Sequence, residues 1–160
     1  MEIITSHQEA EFDSFASMVA AKKLYPGAKL VFSGSQERAL REYLKASPRR
    51  FGVLRPRAVD PAQVTRLILV DTRRRDRIGA LAAVAARPGI EIHVYDHHPA
   101  SAEDIPGALE VIEEVGANTT LMVELLRRRG LAVSPEEATL LALGIYEDTG
   151  SLTFAATTPR

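Results

Sequence analysis

Leu67-Ile68-Leu69-Val70 constrains this chain more than any other segment: four apolar residues in a row, closed by Asp71. A strand with one wet face alternates apolar and polar residues. An unbroken apolar run belongs to a strand covered on both faces, as in a parallel sheet flanked by helices. The surrounding segments agree. Glu2 to Thr5 reads as a β-branched strand, Lys29 to Phe32 as a second, Ile90 to Tyr95 as a fourth and Ala108 to Glu113 as a fifth. Between them lie helical patterns: Glu11 to Tyr25, stopped by Pro26-Gly27, and a helix opening at Gly34-Ser35 and running to about Ala46. Arg73 to Ala86 (RRRDRIGALAAVAA) and Asn118 to Arg129 add two more, and Ser134-Pro135-Glu136-Glu137 carries an N-cap signal for a helix through about Tyr146. Ser47 to Gln63, with three prolines, is the least regular stretch. The predicted fold class is α/β: a Rossmann-like parallel sheet of about five strands with helices on both faces, as one domain over residues 1–160.

In such sheets ligands bind beyond the carboxyl ends of the strands. His7, Asp71 and the run Asp96-His97-His98 each follow a predicted strand directly. Three strand ends presenting metal-ligand residue types are therefore expected to meet in one crevice. Glu11 and Asp13 start the first helix, where acids also favour the helix dipole. Asp148 ends the last helix, where a carboxylate is unfavourable unless a cation compensates it. Each element alone has a plain structural reading, as a cap, a turn or a surface pair. Together, Glu11, Asp13, Asp71 and Asp148 carry four negative charges, matched to two divalent cations. Imidazole and carboxylate donors without sulfur suit Mn²⁺, Co²⁺ or Mg²⁺. Two such ions about 3.5–4 Å apart can share a hydroxide nucleophile and clamp phosphate oxygens.

Composition removes other chemistries. With no cysteine, thiolate zinc sites, disulfides and cysteine nucleophiles are excluded. The net charge of −1 gives no global attraction to nucleic acid or to an anionic membrane. Of the 20 basic residues 16 are Arg, which, beside the abundant Ala, reads as genome composition. No run approaches the roughly 20 apolar residues of a membrane helix, and a cytoplasmic protein is expected. His93 alternates within its strand and reads as core. Asn118-Thr119-Thr120 reads as a plain helix N-cap, with phosphate binding as its alternative. Arg73-Arg74-Arg75 reads as a solvated helix start, and Arg127-Arg128-Arg129 carries no assigned function.

The ordered motifs His7-x3-Glu11-x-Asp13, strand-Asp71, Asp96-His97-His98 and Asp148-Thr149-Gly150 resemble the DHH phosphoesterase superfamily, over nearly the whole chain. The resemblance implies that His7, Glu11 and Asp71 hold one metal, and Asp13, Asp71, His97 and Asp148 the other, with Asp71 bridging. It implies that His98 touches the scissile phosphate or leaving group and that Asp96 orients a histidine, so Asp71, Asp96 and His98 form the catalytic group. Mn²⁺ is the expected metal. Family members usually have Asp where this chain has Glu11, which moves the carboxylate by about one methylene. They also carry a C-terminal substrate-binding domain, so the isolated domain is expected to be weak.

The segments SHQEAEFDSFASMVAAKKLYPGA and GIYEDTGSLTFAATTPR resemble the N-terminal part of bacterial proteins joining DHH, CBS and polynucleotide (tRNA) nucleotidyltransferase regions. A fragment of a longer polypeptide with downstream domains is expected. The leading expectation is hydrolysis of a phosphodiester or phosphoanhydride in a nucleotide or a short RNA or DNA end, tRNA included. The alternatives are a non-catalytic RNA-binding or regulatory module of a poly(A) polymerase or tRNA nucleotidyltransferase, and a nucleotide-binding domain without metals.

Overall fold

A computed structural model describes residues 1–47 and 51–160. Five strands form one sheet: β1 (Glu2–Thr5), β2 (Lys29–Leu30), β3 (Arg66–Val70), β4 (Glu91–Asp96) and β5 (Leu109–Ile112). Their order is β2-β1-β3-β4-β5, and every neighbouring pair is parallel. After β1 the chain builds one edge of the sheet, and from β3 onward it builds the other. That reversal opens a crevice above the carboxyl ends of β1 and β3.

The unbroken apolar run of β3 divides as a doubly covered strand must. Ile68 and Val70 enter one core, Leu67 and Leu69 the other, and all four are fully buried. The first core is roofed by α1 (Phe12–Leu24), α4 (Asn118–Arg128) and α5 (Pro135–Asp148), with Leu40 of α2 (Arg38–Ala46) at its margin. α1 is buried continuously from Asp13 to Ala21, because it lies between the sheet and the other two helices. The second core is covered more thinly, by α3 (Leu81–Ala85) and by single 3₁₀ turns at Pro56–Ala58 and Pro61–Gln63.

Local chemistry explains the helix ends. Glu11 caps α1: its side chain accepts from Ser14 N (2.9 Å), while the Ser14 hydroxyl accepts from Glu11 N. Ser134 and Glu137 form the expected capping box on α5. Gly144 lets α5 approach closely, since a Cβ there would stand 2.8 Å from Thr119 Oγ1, 3.0 Å from Ala16 Cβ and 3.1 Å from Asp13 Cα.

Several expectations need correction. The helix read over Arg73 to Ala86 is instead a 3₁₀ turn (Arg75–Arg77) followed by the short α3. Gly79 breaks it, with φ +54, and a Cβ there would stand 2.8 Å from Gln8 Nε2 and 2.9 Å from Ser33 O. α2 begins at Arg38, not at Gly34-Ser35, because Ser35 O accepts from Ala10 N (3.0 Å) and Glu37 N donates to Ala10 O (2.8 Å). β2 keeps only two residues of the four expected. Beyond Leu30 the chain turns to pair with Leu54, and Phe32 N donates to Leu54 O (3.0 Å). His93 is not core: it is half-buried, bonding Tyr25 Oη (2.6 Å) and Glu91 Oε1 (2.8 Å). Of the irregular stretch from Ser47 to Gln63, Pro48 lies outside the described residues. Among the described residues no helix is long and apolar enough to cross a membrane.

The closeness at Gly144 sets a stability test. Gly144→Val forces α5 away from α1 and α4 and should cost about 1–3 kcal/mol, read as a lower urea midpoint. An unchanged midpoint would show that the helices can part freely.

Candidate metal centre

All six predicted ligand residues converge on the crevice, and Asp71 is at the middle. It is the first residue after β3 and is 3% exposed, with φ +58, a left-handed conformation uncommon outside glycine. This turn lets one carboxylate face two histidines. His7 Nε2, just past β1, lies 3.2 Å from Asp71 Oδ2 and 3.1 Å from Glu11 Oε2. His97 Nε2, just past β4, lies 3.3 Å from Asp71 Oδ1 and 3.5 Å from Asp148 Oδ2. Three donor groups result among the described residues, His7–Glu11–Asp71, Asp13–His97–Asp148 and Asp71–His97–His98, each with its donor atoms within 4.8 Å of one another. The shared proximity of Asp71 and His97 joins them.

Asp13 is fully buried, and both its oxygens accept backbone amides from the start of α4: Asn118 N on Oδ2 and Thr119 N on Oδ1, each at 2.8 Å. The phosphate reading of Asn118-Thr119-Thr120 therefore gives way, because a carboxylate of the protein already takes those amides. Asn118 is not the N-cap either; Ala117 is. With its amide oxygen toward Asp71 N (3.2 Å) and Ser17 Oγ (2.9 Å), Asn118 braces the strand end that carries Asp71.

Each ring is held from behind. His7 Nδ1 donates to Gln8 O (2.6 Å) and His97 Nδ1 to Val115 O (2.7 Å). A nitrogen facing a carbonyl must carry the proton, so in the neutral tautomer both Nε2 lone pairs point into the crevice. They point at carboxylates, which accept but cannot donate. Two arrangements satisfy this geometry: a proton on each Nε2, or a cation between them.

Without a cation the proton takes the place. Burial disfavours charged His7, but Asp71 and Glu11 outweigh it and lift its pKa to about 10. His97 is likewise lifted to about 10, against its burial, chiefly by Asp71. Burial opposes ionisation of Asp71, yet the two histidines hold it well below the carboxylate range. Asp13 is pushed the other way, by burial and then by the charge of Asp71, with Thr119 opposing. Asp148, at the C-terminus of α5, is raised by burial and by Asp71. Four carboxylates crowded into one crevice, with two imidazoles and no sulfur, fit a hard or borderline divalent cation. Asp71 Oδ1 is buried and makes no well-aligned hydrogen bond, with His97 Nε2 3.3 Å away, and is an oxygen such an ion would satisfy.

His98 belongs to the third donor group and is its most exposed member. Its side chain is 41% exposed, and its Nδ1 lies 2.7 Å from Asp96 Oδ1 and 4.0 Å from Asp71 Oδ1. Asp96 is buried and also accepts from the backbone of His97 (2.9 Å). One participant escaped sequence reasoning. Arg73, read as the solvated start of a helix, is 5% exposed, with Nη1 on Asp96 Oδ2 (2.7 Å) and His98 O (3.1 Å) and Nε on Asp104 Oδ2 (2.8 Å). It sits three residues past the β3 end, and that position is the available signal. Arg74, by contrast, is exposed and pairs with Asp76.

Known proteins resemble this chain in sequence and in fold. The DHH family, N-terminal domain, matches residues 2–145. The A-adding tRNA nucleotidyltransferase of Geobacter sulfurreducens is 50% identical over the full chain, and that of Aquifex aeolicus 37% identical over 99% of it. The chain spans 18% of the length of each of these curated relatives. Among solved structures, an exopolyphosphatase-related protein from Bacteroides fragilis superimposes with a TM-score of 0.79 at 20% identity, covering 99% of this chain and 48% of that one. A candidate family II inorganic pyrophosphatase from Methanococcus jannaschii gives 0.78 at 22% identity, covering 99% and 51%. At such identities the two structures speak for the fold alone. The family match and the tRNA nucleotidyltransferase relatives speak for descent, and the chain belongs to the DHH family, as its N-terminal domain.

Proposed function

We propose that this domain is a metal-dependent phosphoesterase that cleaves a phosphodiester or phosphoanhydride bond in a nucleotide or a short nucleic-acid end. The observation that carries the reading is Asp71: one buried carboxylate presented to two histidines, each with its outer nitrogen tied back and its inner nitrogen aimed at the crevice. His7, Glu11 and Asp71 would hold one divalent ion, and Asp13, Asp71, His97 and Asp148 a second, with Mn²⁺ the best match to mixed imidazole and carboxylate donors. When bound, the ions supply a nucleophile at neutral pH and a positive clamp on phosphate oxygens.

The chain's own residues do the rest. His98 reaches solvent with Nδ1 held by Asp96, which leaves Nε2 free to meet a phosphoryl or leaving-group oxygen and to hand it a proton. Arg73 grips Asp96 from the far side and so fixes the angle of His98. Asp13, clamped by the α4 amides, offers its carboxylate without swinging. We further propose a cytoplasmic setting, and a longer polypeptide whose CBS and nucleotidyltransferase regions follow this domain.

A second reading has its own support, since the 50% and 37% identical relatives bear nucleotidyltransferase names. Under it the domain binds or positions RNA ends, tRNA included, without turnover. Assay with Mn²⁺ against bis(p-nitrophenyl) phosphate and short oligonucleotides separates the two. Turnover is expected, and Asp71→Ala should abolish it together with both bound ions, because one carboxylate serves both. Two Mn²⁺ retained by that variant would end the bridging role, and metal binding without turnover would favour the second reading.

Glu11→Asp should keep or raise turnover, since Asp is also a good N-cap for α1. A fall of tenfold or more, about 1.4 kcal/mol of transition-state stabilisation, would mean that the site is tuned to the longer acid. Metal binding should also release protons. His7 and His97 titrate near 10 in the metal-free fold, so at pH 7 each carries a proton that an incoming ion displaces. Apparent affinity should therefore climb as pH rises from 6 to 9, by up to about tenfold per unit for each proton lost. Calorimetry in buffers of different ionisation enthalpy measures this, and binding with no proton release would contradict the ligation by histidine.

A further inference from the structure

A cavity of about 910 Å³ lies outside the metal centre, on the thinly covered side of the sheet. Phe32, Leu54, Leu81 and Val84 are among its apolar walls. Arg55 and Arg57 line it as well; both are exposed, and neither makes an ion pair with any described residue. Its volume falls within the range of pockets that enclose small organic ligands, about 300–1,000 Å³.

Part of the cavity wall is bonded to the ligand loop. Ser35 and Gln36 form part of its wall, and this segment is bonded in register to Ala10, with Ala10 N donating to Ser35 O (3.0 Å) and Gln36 bridged to Ala10. Ala10 stands directly before Glu11. On the other side, Gln8, which follows His7, has its backbone amide on Arg77 O (2.7 Å), and its side chain packs between Gly34 and Gly79, each one residue from or within the cavity wall. The exposed Gln8 is thus the partition between the metal crevice and the cavity.

We propose that this cavity is a nucleoside subsite: it takes the base next to the phosphate held at the metal centre, with Arg55 and Arg57 receiving the phosphate on the base's outer side. Apolar walls accept the flat face of any base, so recognition there rests on stacking and burial more than on base edges. Guanidinium groups without carboxylate partners suit phosphate oxygens and can also cover a ring face. A purely apolar occupant, such as a hydrophobic helix, would leave both cations unanswered. The inference rests on the phosphoesterase reading for the direction in which the strand runs, and on the cavity alone for what it binds.

Methyl NMR of the 160-residue chain in EDTA tests the cavity without the metals. Adenosine 5′-monophosphate should shift the methyl signals of Leu54, Leu81 and Val84, and ribose 5-phosphate should bind about tenfold more weakly for want of a base to bury. The double variant Arg55→Ala, Arg57→Ala should weaken the nucleotide about tenfold. Ala80→Trp, introduced at an exposed position on the cavity lip, should abolish the shifts while the remaining spectrum stays folded. Absent shifts, or equal binding of ribose 5-phosphate, would overturn the proposal. The outcomes also separate from those of the metal centre. Turnover of bis(p-nitrophenyl) phosphate without cavity shifts would sink the subsite alone, whereas cavity shifts without turnover would uphold the subsite and retire the hydrolytic reading.

Discussion

A single buried negative charge organises this domain. Asp71 leaves β3 in a left-handed turn, faces His7 on one side and His97 on the other, and keeps one oxygen short of a well-aligned donor. Everything around it must answer that charge. The histidines do so with protons in the bare fold, which is why their affinity for protons stands so far above that of a free imidazole. Asp13 and Asp148 add to the burden. The two helices that meet them act in opposite senses: the amino end of α4 stabilises Asp13 through two amides, and the carboxyl end of α5 works against Asp148. Such concentrated repulsion is costly in a site with no ligand and is what attracts a dication or a phosphate-bound metal.

Much of this was legible in the linear chain. The apolar run of β3 announced a doubly covered strand, and the rule that ligands gather beyond parallel strand ends brought His7, Asp71 and His97 together before any coordinates. The N-cap at Ser134, with Pro135 in the first turn, is a local pattern that the sequence carries openly. Asp148 drew notice because a carboxylate at a helix end needs an explanation.

What stayed hidden depends on contacts far apart in sequence. Asp13 meets Asn118 and Thr119 more than a hundred positions away, and no local pattern encodes that pairing. Arg73 looked like a solvated cation because its neighbours Arg74 and Arg75 are; only the arrival of Asp96 and Asp104 from beyond β3 makes it a buried clamp. The helix expected after it had good apolar periodicity but broke at Gly79, where the close approach of Gln8 and Ser33 overrides local propensity. β2 is short although Val31 N still donates to Ile4 O, and Leu54, distant in sequence, bonds its outer edge. Glu11 is a mixed case: capping and closeness to His7 stood as alternative readings of one acid, and the structure shows both at once.

The clamp on Asp13 has a thermodynamic corollary. A carboxylate on a loose side chain gives up rotational freedom when it captures an ion, and it can tilt to suit large and small ions alike. Here folding has already frozen that motion, since each oxygen is pinned by an amide at 2.8 Å. An ion reaching this edge of the crevice meets an oxygen at a preset place, so discrimination between cations of equal charge would come from radius and from tolerance of imposed angles.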